Sequence, residues 1–204
     1  MASKATPAPK APATVRGSGA VPRAVRIIGG QWKRTKLAVA DKPGLRPTPD
    51  RVRETLFNWL GHDLTGWRCV DAFAGTGALG LEAASRGASE VLLVEQDPDL
   101  VSQLRASQAR LQATMVKVER DNGLSALARL APASVDLIFL DPPFDANLFE
   151  KALAVAAPAV AADGLIYLEA PTAWDDTALA AWRLTCLRHL KAGAVHAHLL
   201  GRAA

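Results

Sequence analysis

Cysteine is scarce in this chain: Cys69 and Cys186 are the two among 204 residues, and each sits alone in an apolar segment, WRCVDAF and WRLTCLRHL. Neither a paired metal-ligand motif nor a disulfide framework can be built from them, so both read as buried free thiols in a reducing compartment. Long apolar runs are missing too. No stretch approaches the roughly 18 residues of a membrane span, and no apolar segment follows the first positive charges as in an export signal. The expectation is a soluble, cytoplasmic protein with no membrane partner. Acidic residues are scarce in one region. The first 60 residues hold twelve Lys and Arg against Asp41, Asp50 and Glu54, a net of +9, whereas the whole chain carries +4 and the remainder is therefore net −5. Such a basic segment is an electrostatic footprint for phosphates, because each neutralised phosphate releases condensed counterions. A merely solvated basic face is the other reading of the charge alone.

Half the residues are hydrophobic, enough for one α/β domain with a full core but not for two. Residues 1–24 are rich in Ala, Pro, Lys and Ser without apolar periodicity, the composition of a disordered tail. Residues 25–40 read as a basic hairpin, VRIIGG and QWKRTKLAV around Gly29-Gly30, with Arg26, Lys33, Arg34 and Lys36 offered to solvent. Thr48 is expected to cap a helix over 48–62, with Pro49 first and Asp50 in its opening turn. Val52, Leu56, Phe57 and Leu60 form its buried stripe, and Arg51 and Arg53 point away. From Trp67 onward, strand-like runs alternate with helical stretches, the pattern of parallel strands with crossover helices. The final stretch, AWRLTCLRHLKAGAVHAHLLGRA, carries two strand runs joined across Lys191-Ala192-Gly193 without a helix between them, an antiparallel hairpin at the sheet edge.

Four strand ends carry chemistry. In DAFAGTGALG, Asp71 closes a strand and Gly75, Gly77 and Gly80 open a helix, so the backbone can pass close to a ligand and leave helix amides free. Gly75 to Gly80 also fits the dinucleotide fingerprint, yet an acid four residues before the first glycine suits the cationic amino acid end of a sulfonium cofactor better. Glu95 ends the next strand, VLLVE, where a carboxylate can accept from both ribose hydroxyls. Asp121, after MVKVE, could reach an adenine amino group, although Asp-Asn is also an ordinary turn. The sharpest motif is SVDLIFLDPPF. Pro142 and Pro143 fix φ and remove two amide donors, so the turn presents carbonyls and the Asp141 carboxylate as rigid acceptors. Acceptors aimed at the N–H bonds of an aromatic amine favour pyramidal nitrogen and orient its lone pair, and Phe144 offers a face on which a flipped base can stack.

Together these residues resemble class I S-adenosylmethionine-dependent methyltransferases that modify base amino groups. RIIGGQWKRTKL, LRPTPDRVRETLFNWL, DAFAGTGALGLEAASRGA and DPPF are similar, in that order, to the bacterial small-subunit ribosomal RNA (guanine-N2) methyltransferases of the RsmD family. The resemblance runs from about Val25 to the C-terminus. It implies a Rossmann-like sheet of seven strands and a target on 16S rRNA, guanine 966 in the usual rRNA numbering, within an assembling 30S subunit. It further implies that Asp71, Phe73, Gly75, Gly77, Glu95, Gln96 and Asp121 line the S-adenosylmethionine site of a monomeric enzyme. Asp141, Pro142, Pro143 and Phe144 would receive the guanine, and Arg26, Lys33, Arg34, Lys36, Arg46, Arg51 and Arg53 would meet RNA or the pocket rim. Direct in-line transfer is expected, with neither metal nor covalent intermediate; Cys69 lies in a buried strand, away from the catalytic turn. The diproline motif by itself does not name the base, so adenine-N6 transfer to RNA or DNA stays open. An NAD-dependent oxidoreductase and a noncatalytic RNA-binding module are the rivals from other classes.

Overall fold

The computed structural model describes residues 24–40, 42, 48–144 and 148–203. The apolar runs after Trp67 become the strands of one sheet: β3 (Arg68–Asp71), β4 (Glu90–Glu95), β5 (Val116–Arg120), β6 (Val135–Leu140), β7 (Val160–Ala170), β8 (Leu184–Ala192) and β9 (Val195–Arg202). Their order is β5-β4-β3-β6-β7-β9-β8, with β9 antiparallel to both neighbours and every other pairing parallel. The helices between them are α2 (Ala78–Ser85), α3 (Pro98–Leu111), α4 (Gly123–Ala128), α5 (Phe149–Ala159) and α6 (Asp176–Leu179), the last running into a 3-10 turn over Ala180–Trp182.

Strand alternation sends successive side chains to opposite layers. Cys69, Leu93, Leu137, Phe139 and Tyr167 pack toward the N-terminal elements and α2, while Val70, Ala72, Ile138, Leu140 and Ile166 pack with α5. A sheet covered on both faces needs near-continuous apolar strands, which VDLIFL and EVLLVE supply. Among the described residues no helix is long and apolar enough to cross a membrane.

The segment ahead of the sheet departs from several expectations. The basic hairpin exists, but its strands are short, β1 (Ala24–Arg26) and β2 (Lys36–Ala38), and a nine-residue excursion joins them where a tight Gly29-Gly30 turn was expected. The cause is docking: Ile28 and Gly29 donate their amides to the Glu82 carboxylate, each at 2.7 Å, and Gln31 donates to the Ser85 carbonyl at 2.8 Å. Helix α1 spans Asp50–Trp59, shorter than 48–62, and Thr48 does not cap it. Pro49 holds the capping position, and the Thr48 hydroxyl turns inward to Glu169 at 2.7 Å. Arg53 also does not point away. It is fully buried, donating to the carbonyls of Thr48 and Arg26 and to Asp50, with Glu82 3.7 Å distant. A pattern of apolar spacing puts Arg53 on the polar side, but the guanidinium has five donors and here the fold supplies acceptors for them. Cys186 is half-buried rather than enclosed, and β8 continues through Ala192, leaving Gly193-Ala194 as the turn. Residues 1–23 of the expected tail, and Arg46, lie outside the described residues, while Ala24 begins β1.

Glu82 thus holds the hairpin loop, Arg86 at 2.8 Å and the Arg53 charge from a wholly buried position on α2. Removing one partner of such a group strands the others, so Glu82→Ala is expected to lower unfolding free energy by about 3–5 kcal/mol. Urea denaturation of the two proteins measures it; a loss within experimental error would show that the clamp carries no stability.

Candidate active site

Parallel pairing aligns the carboxyl ends of β3 and β6, with Asp71 opposite Phe139, at the point where the strand order reverses. Open α/β sheets leave a crevice at that switch point. Residues 71–77 leave β3 on one side of it, and Asp141 to Phe144 leave β6 on the other.

The glycine loop is tightly built. Gly75 and Gly77 both take positive φ, 52° and 78°, and Gly77 ends the loop at the N-terminus of α2, where an added Cβ would lie 2.7 Å from Leu104. Positive φ is cheap only for glycine, so the turn requires these residues. Asp71, 1% exposed, accepts from the Gly80 amide at 3.0 Å through Oδ2. Its Oδ1 is the one sealed side-chain oxygen among the described residues without a partner. Burial pushes its carboxyl up to about 7, with Glu95 and Glu169 adding to the rise. An enclosed, unpaired carboxylate oxygen costs free energy unless something else meets it, and a ligand ammonium is the matching group.

On the neighbouring strand, Glu95 accepts the Gly75 amide at 2.9 Å and the Asp97 amide at 2.9 Å, tying the loop to the start of α3. Phe73 and Gln96 belong to the same rim, half-buried and exposed respectively. Asp121 follows β5, one strand further out, with its amide on the Glu95 carbonyl. Its carboxylate is already engaged: Arg129 lies at 2.5 Å and holds it below the usual carboxylate range. The structure therefore brings Asp71, Phe73, Gly75, Gly77, Glu95 and Gln96 together, and leaves Asp121 near them with its charge paired.

Across the crevice, burial raises the Asp141 carboxyl well above its ordinary value, and the charges of Glu169 and Asp71 add to it. Pro142 is buried, whereas Phe144 stands 37% exposed. The Phe144 ring is the outer end of an aromatic run through Phe149, Trp174 and Trp182, with centroids 5.9–6.4 Å apart. Glu169, at the end of β7, completes the cluster. Thr48 at 2.7 Å and Tyr167 at 2.8 Å both donate to its Oε1, and burial raises its pKa against the pull of those bonds. Sequence reasoning missed Glu169, although it follows LIYL as Glu95 follows VLLV: an acid closing an apolar strand was the available signal.

The basic candidates spread along the molecule. Arg26, Lys33, Arg34, Lys36 and Arg51 are exposed. Lys33 and Arg34 lie on the hairpin loop that docks at Ser85, the last residue of α2, so about one helix length, some 12 Å, separates them from the glycine loop. A cavity of about 390 Å³ at that far end is lined by Lys33, Glu54, His62 and Arg86 and does not include the crevice residues. Arg53 is withdrawn into the core.

This strand order, with an acidic glycine loop and an acidic diproline turn at adjoining strand ends, defines a class I methyltransferase. Residues 25–201 match the family model described as conserved hypothetical protein 95. Ribosomal RNA small subunit methyltransferase D of Escherichia coli K12 is 46% identical over 147 residues, covering 71% of this chain and 74% of that protein. The Haemophilus influenzae protein of the same name is 41% identical over 150 residues, covering 71% and 78%. A solved Escherichia coli structure, yhhF, described as a candidate methyltransferase, superposes with a TM-score of 0.75 at 38% identity, over 89% of this chain and 99% of that one. The chain belongs to the ribosomal RNA small subunit methyltransferase D family.

The residues of the β3 loop fit the cationic methionine moiety of S-adenosylmethionine, because Asp71 Oδ1 has no hydrogen-bond partner and an ammonium is the matching donor. With the free carboxyl titrating near 7, it is neutral below that pH and cannot pair with an ammonium. Affinity for S-adenosylmethionine is therefore expected to fall by at least about tenfold between pH 7.5 and 5.5, and to be weak and nearly flat with pH in Asp71→Asn. Isothermal titration calorimetry at both pH values checks it, and equal affinities in the wild type would remove Asp71 from the ammonium site.

Proposed function

We propose that this protein methylates the exocyclic N2 of a guanine in 16S rRNA, with S-adenosylmethionine as donor. The observation that carries the reading is the common crevice: the orphaned Asp71 oxygen and the Asp141-Pro142-Pro143-Phe144 turn stand at adjacent strand ends. The names of the relatives supply the RNA class, and the resemblance of the motifs supplies guanine 966.

S-adenosylmethionine supplies a methyl group activated by its sulfonium. Asp71 would hold the ammonium, Glu95 the ribose, with Phe73, Gly75, Gly77 and Gln96 shaping the walls and Asp121 at the outer rim. The other side of the crevice prepares the nucleophile. A guanine N2 is flattened by conjugation with the ring, and its lone pair is a poor nucleophile in that geometry. Asp141, with a carbonyl of the diproline turn, accepts the two N–H bonds, which favours pyramidal nitrogen and aims the lone pair toward the donor side. The fixed φ of Pro142 and Pro143 keeps those acceptors from rotating away. Phe144, exposed at the lip, stacks on the extracted base. No side chain needs to form a covalent bond, and burial holds the Cys69 thiol up at about 12, well out of nucleophilic range.

The exposed Arg26, Lys33, Arg34, Lys36 and Arg51, with Arg46, would neutralise phosphates around the target. The same reading takes the substrate to be rRNA within an assembling 30S subunit and the enzyme to be a cytoplasmic monomer.

Incubating the protein with methyl-labelled donor and rRNA, DNA or 30S particles, then mapping the product by mass spectrometry, tests the function. N2-methylguanine in 16S rRNA is expected; label appearing in DNA or on adenine N6 would replace this reading. Asp141→Ala is expected to lose at least about a thousandfold in turnover while calorimetric donor affinity changes less than about threefold. Near-normal turnover would take Asp141 out of the mechanism. Because Lys33 and Arg34 lie distant from the crevice, reversing charge at Lys33, Arg34 and Lys36 tests whether RNA wraps that far. RNA affinity should fall and the slope of log K against log salt should flatten by roughly two to three. An unchanged slope would mean that the hairpin does not touch phosphate.

A further inference from the structure

Glu169 is too specifically placed to be only a brace for α1. Its two hydroxyl donors, Thr48 and Tyr167, both converge on Oε1. Among the described residues Oε2 accepts no hydrogen bond. The residue is 3% exposed, so the remaining lone pairs open onto very little space. Register says which space. Phe139 pairs with Tyr167 and Leu140 with Leu168, so the next residues along the two strands are Asp141 and Glu169. The charge of Glu169 opposes ionisation of Asp141, as it would for a near neighbour at these adjoining strand ends.

An amine received by Asp141 therefore has a second, prearranged acceptor on its flank. In guanine the atom beside the C2 amine is N1, which carries a hydrogen, so N1–H and N2–H form two parallel donors. In a purine lacking that hydrogen, such as 2-aminopurine, N1 presents a lone pair instead. A carboxylate oxygen facing that lone pair loses its hydrogen bond and gains repulsion, a larger penalty than losing a contact to solvent.

We infer that Glu169 accepts the N1–H of the target base beside the amine held by Asp141, and so selects guanine over purines with an unprotonated N1. The inference rests on the guanine-N2 reading above. Thr48 and Tyr167 fix the carboxyl's rotation by donating to Oε1, and those bonds, with the Arg53 charge, favour the acceptor form against the larger opposing effect of burial. These neighbours come from the N-terminal segment and from β7, so base selection depends on how α1 seats against the sheet.

The test is Glu169→Gln, which keeps an oxygen for Thr48 and Tyr167 but replaces the second oxygen with an N–H donor. Methyl transfer is measured on RNA substrate carrying either guanine or 2-aminopurine at the target nucleotide, with the wild type, Glu169→Gln and Asp141→Asn. The wild type should prefer guanine by about ten thousandfold in kcat/KM. Glu169→Gln should shrink that preference by at least about a hundredfold, because its amide donates to the N1 lone pair. The ratio compares two substrates of one protein, so partial unfolding of the variant does not move it. An unchanged ratio overturns the inference, and a shrunken ratio in Asp141→Asn alone assigns N1 to Asp141 and overturns it equally. A wild type that places no methyl on guanine N2 would instead sink the underlying function, a result visible before any variant is made.

Discussion

The parallel pairing of β3 with β6 is the constraint on which the rest of this molecule depends. These strands are separated in sequence by two other strands and three crossover helices, yet Cys69, Val70 and Asp71 lie directly beside Leu137, Ile138 and Phe139. Because the strands run the same way, whatever follows Asp71 and whatever follows Leu140 must emerge at one edge. Successive connections leave in opposite directions at that point, so no helix fills the gap, and the glycine loop and the diproline turn share it. Apolar side chains on both faces hold the pairing in register, since a shift of one residue would turn Phe139 and Asp71 to the opposite layer.

A second layer of constraint comes from charges inside the protein. Arg53 and Glu82 are wholly buried and are satisfied by backbone groups of the hairpin loop and by Asp50 and Arg86. Buried pairs of this type contribute little net stability but accept few substitutes and few alternative geometries. The position of Glu82 on α2 matters, because that helix starts immediately after Gly77. The arm that carries Thr48 to Glu169 is thus fastened to the helix that follows the glycine loop.

Three carboxyl groups, Asp71, Asp141 and Glu169, crowd the crevice; burial raises the pKa of all three, and the charge of Glu169 adds to the rise at Asp71 and Asp141. A fold selected for stability alone would not gather them. Strained electrostatics of this sort mark functional sites, where a ligand can supply the missing counter-charge or donors. Paired acids elsewhere behave differently: Asp136 is held by Arg68 and Asp121 by Arg129, and both carboxyls are lowered.

Most of the architecture was legible in the sequence because it rests on local periodicity. Apolar runs of five or six residues between helical stretches specify a doubly wound sheet, and the antiparallel end hairpin followed from two such runs without an intervening helix. The glycine turn, Glu95 and the Asp141 turn were legible for a related reason, since each lies within a few residues of a strand end and its conformation is local. Arg53, Thr48 and Glu169 were not. Spacing along α1 assigned Arg53 to solvent, and Thr48 looked like a cap, because the acceptors that claim them stand at Arg26, Glu82 and Glu169, up to 121 residues away. Strand identity and the chemistry of the two loops were thus determined by neighbours in the chain. Which carboxylates meet, which arginine is withdrawn and where the basic hairpin rests were decided only when the sheet closed the distance, because long-range contacts leave no periodic trace in the residues that make them.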